Sequence, residues 1–213
     1  MSQIILYQAS AGIFLATDSR AVEFTPGGEP LYLEVNKLFP LGRETLLATV
    51  GAGYGLALCR DFEKRVQLMR EFDTEDIIEQ AMAFFPDAVE RYQEKPASSP
   101  QDRELQRLYL VLAGHQGASG KSHFPFVVLA SEHDGDPLRQ LQTGHFICIP
   151  RQIKIEYRLH QLPPDRVSLD ELEELCTGYL EELARNTEDL APPFHLARIT
   201  EGGLELRTIS DLS

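Results

Sequence analysis

Residues 4–20 read IILYQASAGIFLATDSR, and the rest of the chain is best interpreted outward from this stretch. Apolar residues dominate 3–9 and 13–18, and the Ala-Gly pair at 11–12 is a turn signal. The pattern predicts two paired strands joined by a tight turn. The second strand ends on an acidic and a basic residue, so its end carries charge where the apolar pattern stops.

Ser2 precedes this strand pair, and a small residue after Met1 is the kind that normally leads to removal of the initiator Met. The mature chain would then begin with a hydroxyl and a free amine on one residue. Such a residue is a nucleophile that carries its own base. Asp18 and Arg20 at the end of the second strand, with Lys37 beyond them, complete a candidate catalytic set.

Composition sets limits on function. The chain has 213 residues, with 33 acidic and 20 basic ones and a net charge of -13. We expect one domain spanning residues 1–213, since this length supports a substantial core. The acidic balance argues against nucleic acid as a direct ligand, because phosphate binding needs a basic surface. No apolar stretch is long enough to span a bilayer and Asp18 is too early for a signal peptide, so we expect a cytoplasmic protein without membrane contact.

Cysteine and histidine usage gives no sign of a metal site. Cys59, Cys148 and Cys176 are scattered among apolar residues without Cys-x-x-Cys spacing, which predicts reduced, buried thiols. The six histidines show no His-x-x-x-His spacing. We expect no metal and no organic cofactor.

The remaining elements follow from periodicity and breakers. A Pro/Gly-rich loop at 25–30 and a linker at 96–102 are expected. Helices are expected at 54–72, at 74–94 with a break or kink at Pro86, and after a capping box at Ser168. Further strands are expected at 36–39, 45–50, 108–112, 126–129, 145–149, 153–157, 194–199 and 204–207. This order predicts an α+β fold, with helices laid on the outer faces of antiparallel sheets.

The stretch GASGKS at 117–122 is similar to the end of a phosphate-binding loop. His115 stands where the first glycine of that motif belongs, and an apolar strand follows instead of a helix. A hairpin loop is the better interpretation.

Three segments together carry a family resemblance: GIFLATDSRA at 12–21, NKLF at 36–39 and ATVGAG at 48–53. Their order and spacing resemble the catalytic half of proteasome β-type subunits and of the HslV-like peptidases, which are N-terminal-nucleophile hydrolases. Ser2 falls where that family has its N-terminal threonine. The interval from Lys37 to Gly51 is similar to the family's interval from catalytic lysine to oxyanion-hole glycine.

The resemblance implies a role for each matching residue. The Ser2 hydroxyl would attack the scissile carbonyl while its own α-amine takes the proton. Lys37 would stay charged and lower the pKa of that amine, which is about 8 when unperturbed. Asp18 would hold Lys37, and Arg20 would anchor the strand end. The backbone N–H of Gly51 would face the oxyanion.

The chain also departs from the family's pattern. Gln3 replaces a second threonine, and the nucleophile is serine. The family's Gly-Ser segment corresponds to IPRQ at 149–152, and its Asp-x-x-Ser-Gly-Gly corresponds to TEDLAPP at 187–193. Glu188 or Asp189 could substitute for the missing acid.

The resemblance further implies a four-layer αββα sandwich and a ring of six or seven subunits, with peptides or unfolded proteins as substrates. An ATP-dependent unfoldase is the typical partner of such rings. Two alternatives stay open on the sequence alone. One is an inactive structural ring subunit, and the other is an amidase of the same superfamily that acts on a small amide.

Overall fold

The computed structural model describes residues 2–25, 27–70, 72–93, 107–118, 121–133 and 135–210. Met1, Pro26 in the predicted loop, the predicted linker at 96–102, and Ser119 and Gly120 of the glycine-containing stretch lie outside these ranges.

Both helices and strands are present, so the fold is α+β, as the sequence predicted. The strands in the described ranges are β1 Ile4–Ala9, β2 Gly12–Asp18, β3 Arg20–Phe24, β4 Pro30–Glu34, β5 Leu38–Pro40, β6 Thr45–Gly51, β7 Leu108–Gly114, β8 Gln116–Ala118, β9 Lys121–His123, β10 Phe126–Ser131, β11 Arg139–Gln140, β12 Phe146–Ile149, β13 Phe194–Thr200 and β14 Gly203–Ile209. The helices are α1 Tyr54–Gln67, α2 Thr74–Gln93, α3 Ile153–Gln161 and α4 Leu169–Asn186.

The chain divides into two compact units. The first contains the described residues through Lys37 and those from Thr143 onward. Its antiparallel sheet has the strand order β12-β1-β2-β13-β14. The β3–β4 hairpin follows β2 in the chain and forms a separate two-stranded sheet. The predicted pairing of the first two strands is confirmed, with Ile4 opposite Thr17 and Ala9 opposite Gly12.

Gly12 starts β2 because no other residue fits there. Its φ is +150°, and a Cβ at this position would lie 2.2 Å from the carbonyl oxygen of Ile199 on the neighbouring strand β13. Such an approach is possible only without a side chain. The close contact lets β2 sit in the middle of the sheet with all seven of its residues buried.

Helices α3 and α4 cover one face of this sheet. Alternate residues of β1 and β2, among them Tyr7 and Phe14, pack with Leu172 and Leu180 of α4 in one core. The opposite face is also apolar and buried, with fully buried residues at Ile4, Leu6, Ile13, Leu15 and Ile199. Both faces of the sheet are therefore shielded from water.

The capping box that opens α4 is confirmed. The Ser168 hydroxyl accepts from the backbone N–H of Glu171 at 3.2 Å, and the Glu171 carboxylate accepts from the backbone N–H of Ser168 at 2.9 Å. Two amide groups that the helix leaves without partners are satisfied in this way.

Replacing Ser168 with alanine should lower the free energy of unfolding by about 1 kcal/mol, because the Glu171 amide loses its acceptor. Urea unfolding of the purified chain measures this. Ser168→Asp keeps an acceptor and should retain most of the stability, whereas equal stability of the alanine variant would contradict the role of the cap.

The second unit contains Leu38–Gln142. Its antiparallel sheet has the strand order β11-β10-β7-β6-β5, and β8 pairs with β9 in a separate hairpin. Helices α1 and α2 pack on one face, where Phe62 and Phe85 meet Leu47 and Leu110. Buried residues on the other face include Leu46, Ala48, Val111, Ala113 and Val128.

Two local predictions were wrong. The expected strand at 153–157 is helix α3, because the buried residues are Ile155 and Leu159, one helical turn apart, while Ile153 and Tyr157 are 85% and 68% exposed. The helix expected to run to residue 72 ends at Gln67.

Helix α2 continues through Pro86 instead of breaking there. Phe85, Ala88 and Val89 on both sides of the proline are buried in the core, and this packing outweighs the lost backbone hydrogen bond. The β3–β4 hairpin, Arg20–Phe24 with Pro30–Glu34, was not predicted, since only its connecting loop had a clear signal.

Candidate functional site

The Asp18 carboxylate is the centre of a buried polar cluster in the first unit. The side chain is fully buried at the end of β2 and receives three donors. Oδ1 accepts from the Lys37 ammonium at 2.9 Å and from the backbone N–H of Gln3 at 2.8 Å, while Oδ2 accepts from the backbone N–H of Arg20 at 2.9 Å. Charge-assisted bonds of this kind offset the cost of burying the carboxylate.

Lys37 is the counter-ion of this carboxylate. Lys37 is only 3% exposed, and its ammonium also donates to the carbonyl oxygen of Arg20 at 2.7 Å. Burial lowers the pKa of Lys37, whereas the charge of Asp18 and its hydrogen bond oppose that shift. The pair is therefore a cation and an anion held out of water in fixed geometry.

The β3–β4 hairpin explains how Lys37 returns to the strand end. Arg20 pairs with Glu34 at the base of the hairpin, and the backbone N–H of Val35 donates to the carbonyl of Ser19 at 2.8 Å. The chain thus leaves β2 and comes back to the same place. The described residues 27–29 of the Pro/Gly-rich loop lie in the excursion between these two points.

Ser2 lies at the same strand end. Its hydroxyl is 3.4 Å from the carbonyl oxygen of Arg20, a long hydrogen bond, and this is the oxygen that accepts from the Lys37 ammonium. Four of the five residues predicted for the site, Ser2, Asp18, Arg20 and Lys37, are therefore together. The hydroxyl and the ammonium approach one shared acceptor.

Arg20 contributes its side chain as well as its carbonyl. The guanidinium donates to the backbone carbonyl of Glu188 and lies 4.9 Å from the centre of the Tyr32 ring. This contact ties the segment after α4 to the start of β3. Glu188 takes part through its backbone here, whereas the sequence had suggested its carboxylate.

Gln3 makes hydrogen bonds at this strand end that the sequence did not indicate. The residue is 2% exposed, and its side-chain amide donates to the carbonyl oxygens of Ile149 and Pro150, both at 3.1 Å. The hydroxyl of Thr17 donates to the Gln3 carbonyl at 2.7 Å. Gln3 therefore fastens the start of β1 to the chain at Ile149 and Pro150. The only signal in the sequence was the position of a glutamine directly after Ser2.

Gly51, the fifth predicted site residue, belongs to the second unit at the end of β6. Its φ is +99°, and a Cβ would lie 1.9 Å from the carbonyl oxygen of Arg107. The next residue, Ala52, donates its N–H to the same oxygen at 2.7 Å. Close backbone approach to the chain before β7 is sufficient to require glycine here.

Gly51→Ala should lower the free energy of unfolding by about 3 kcal/mol or more, because it adds both an unfavourable φ and a clash with backbone. Urea unfolding measures the loss. Gly53→Ala is the matched control: its backbone is helical and nothing lies within 4 Å of the new Cβ. That variant should be as stable as the parent or up to about 1 kcal/mol more stable. Similar stabilities for the two variants would contradict the close approach at Gly51.

The cysteines are buried and unpaired, as predicted. Burial raises the pKa of Cys148 to about 12 and raises those of Cys59 and Cys176 as well. These thiols stay protonated at neutral pH and are poor nucleophiles. In the described residues no three or more His, Cys, Asp or Glu side chains cluster as a metal site, and no helix there is long and apolar enough to cross a membrane.

The described residues of the glycine-containing stretch at 117–122 lie in two short paired strands. Strands β8 and β9 pair antiparallel, with Gln116 opposite His123. This agrees with the hairpin interpretation.

Searches of protein-family models and of curated proteins give no match to the sequence.

Proposed function

We propose that this chain is a peptidase of the proteasome β/HslV class, with Ser2 as nucleophile once it is the first residue of the mature chain. One observation carries the proposal. A buried lysine–aspartate pair shares the Arg20 carbonyl oxygen with the Ser2 hydroxyl. Surface ion pairs are common, but a fully buried pair beside a serine hydroxyl is what a charge-activated nucleophile requires.

The reaction begins with attack of the Ser2 Oγ on the carbonyl carbon of a peptide bond, while the hydroxyl proton moves to the Ser2 α-amine. The C–N bond then breaks, and the α-ammonium gives its proton to the leaving amine. An ester to Ser2 remains. Water loses a proton to the same α-amine and adds to the carbonyl carbon of this ester. The bond from that carbon to Oγ then breaks, the acid leaves, and the α-ammonium returns its proton to Oγ.

Lys37 has two effects in this scheme. Its positive charge lowers the pKa of the nearby α-amine, which favours the neutral, basic form at neutral pH. The same charge stabilises negative charge that develops on Oγ during attack. Asp18 keeps Lys37 charged and in place, and Arg20 fixes the strand end. The Gly51 amide is the proposed oxyanion donor, as the family resemblance implies.

The proposal includes a four-layer αββα sandwich as the full architecture. Each five-stranded sheet carries helices on one face and buried apolar residues on the other. Two such sheets are the components that this architecture needs.

We also propose a closed homo-oligomeric ring in the cytoplasm, with peptides or unfolded proteins as substrates and an ATP-dependent unfoldase as a candidate partner. Native mass spectrometry of the purified chain tests the ring. A monomer would favour instead the amidase that acts on a small amide.

A catalytically inactive ring subunit is the second candidate. The observation in its favour is the segment at 187–193, which lacks the family's Ser-Gly-Gly and contacts Arg20 through the backbone carbonyl of Glu188. In the family, that motif steadies the terminal amine.

An intact-mass measurement decides between these candidates. The chain is purified with Ser2 as its first residue and exposed to a β-lactone, which acylates activated hydroxyls. One adduct, mapped to Ser2 by peptide sequencing, is the expected result. Buried cysteines should not compete for the probe. A correctly processed chain that stays unlabelled would overturn the peptidase proposal and support the inactive subunit.

A further inference from the structure

His195 lies next to the candidate site, although it belongs to no motif in the sequence. It stands on β13 directly opposite Thr17 of β2, and its neighbour Phe194 stands opposite Asp18. Paired residues of antiparallel strands project to the same face. The Thr17 hydroxyl in turn donates to the Gln3 carbonyl at 2.7 Å. His195, Thr17 and the Gln3 carbonyl therefore lie in one row, which ends at the backbone next to Ser2.

The imidazole contacts the segment that carries Lys37. His195 Nδ1 is 3.0 Å from the side-chain oxygen of Asn36, the residue immediately before Lys37. With that oxygen as acceptor, Nδ1 carries the proton. Lys37 reaches Asp18 from a short connection between β4 and β5, and the backbone bond of Val35 to Ser19 holds the start of this connection. The contact with His195 holds its middle.

The charges that act on the ring are those of Glu34, Lys37 and Asp18. Burial lowers the pKa of His195, the charges of Glu34 and Asp18 raise it, and the charge of Lys37 lowers it. A ring with a lowered pKa is neutral at pH 7, so it adds no second cation beside Lys37. Protonation at acid pH would place one there.

We propose that His195 is a positioning residue of this site, which acts through Asn36 to hold the Lys37 ammonium against Asp18. The proposal deepens the proposed function and rests on it for its catalytic consequence. The structural consequence, a fixed Lys37, does not depend on catalysis.

The first readout is therefore the titration of Lys37, followed by NMR of its side-chain Cε and Nζ. His195→Leu removes the contact, and Asn36→Ala removes its acceptor at an exposed position. In both variants Lys37 should become more hydrated, and its pKa should rise toward the ordinary value, since burial is the main cause of the lowering. His195→Gln keeps a donor and should titrate like the parent. His123→Ala, at an exposed histidine of β9, is the control.

The second readout is the rate of Ser2 acylation by the β-lactone across pH. His195→Leu and Asn36→Ala should each slow acylation about 10- to 100-fold, because small displacements of a catalytic group have effects of this size. His195→Gln should stay within about threefold of the parent. Both proteins should lose rate in acid as the Ser2 α-amine is protonated, and the parent should lose more than the glutamine variant below the ordinary histidine pKa, because only the parent gains a second cation at His195.

An unchanged Lys37 titration and an unchanged acylation profile in both His195→Leu and Asn36→Ala would overturn the role of His195. If the parent is never acylated, the proposed function fails instead, and the Lys37 titration alone then decides the proposal for His195. The exposed Asn36→Ala variant keeps the test available should His195→Leu not fold.

Discussion

Replacing Ser2 with alanine should abolish acylation of the mature chain and leave its stability unchanged. Alanine removes only the hydroxyl oxygen, which is the atom that would form the ester. The rate should fall to the uncatalysed background, a loss on the order of 10⁴-fold or more. Stability should change by less than about 0.5 kcal/mol, because within the described ranges the hydroxyl makes one long contact, 3.4 Å to the Arg20 carbonyl.

Intact mass after β-lactone treatment and urea unfolding measure these two effects. Ser2→Thr keeps the hydroxyl and should be acylated, with a rotamer restricted by the added methyl. Ser10→Ala changes an exposed serine in the β1–β2 turn and should be acylated like the parent. Acylation of Ser2→Ala at the parent rate would exclude Ser2 as the nucleophile.

Lys37→Met should damage both stability and activity. The substitution preserves the length of the side chain but leaves the fully buried Asp18 carboxylate without its counter-ion. Removing one partner of a buried pair typically costs about 3–5 kcal/mol of unfolding free energy. Acylation of Ser2 should fall at least about 100-fold, since the nearby positive charge that activates the amine and the hydroxyl is gone.

A double-mutant cycle separates these two effects. In the combined Lys37→Met and Asp18→Asn variant neither charge remains, so part of the stability should return while acylation does not. Recovery should be incomplete, because an asparagine amide cannot accept from both Gln3 and Arg20 as the carboxylate does. Urea unfolding of the four proteins gives the coupling energy.

The matched control is the surface pair Lys64–Asp61, whose nitrogen–oxygen distance is 3.0 Å and whose side chains are 72% and 62% exposed. Lys64→Met should cost less than about 1 kcal/mol, since water screens the charges. If Lys37→Met were no more destabilising than Lys64→Met, burial of the Lys37–Asp18 pair would not contribute as described.

Much of the fold could be predicted because its signals are local. Alternation and a turn identified β1 and β2, three- and four-residue spacing identified α1, and Ser168 with Glu171 identified the start of α4. Helix α3 was missed because its short sequence alternates by chance, with Ile153, Ile155 and Tyr157 mimicking a strand. Nine residues are too few for helical periodicity to outweigh that pattern.

The candidate site also has one part that the sequence predicted and one part that it missed. The family resemblance implied the Asp18–Lys37 ion pair, and its contacts form within one hairpin excursion. The contacts of Gln3 with Ile149 and of His195 with Asn36 join residues 146 and 159 positions apart. No local pattern records such pairs, and only the strand order of the sheet brings them together.

The β3–β4 hairpin leaves and re-enters the site at nearly one point, with Ser19 bonded to Val35. Its length is therefore decoupled from the position of Lys37. Residues inserted at the tip, around 27–29, would lengthen a closed loop at a cost of a few tenths of a kcal/mol, since loop entropy grows only with the logarithm of length. The tip is thus the place where this chain can accept a tag, a reporter or new evolutionary variation without disturbing the ion pair at its base.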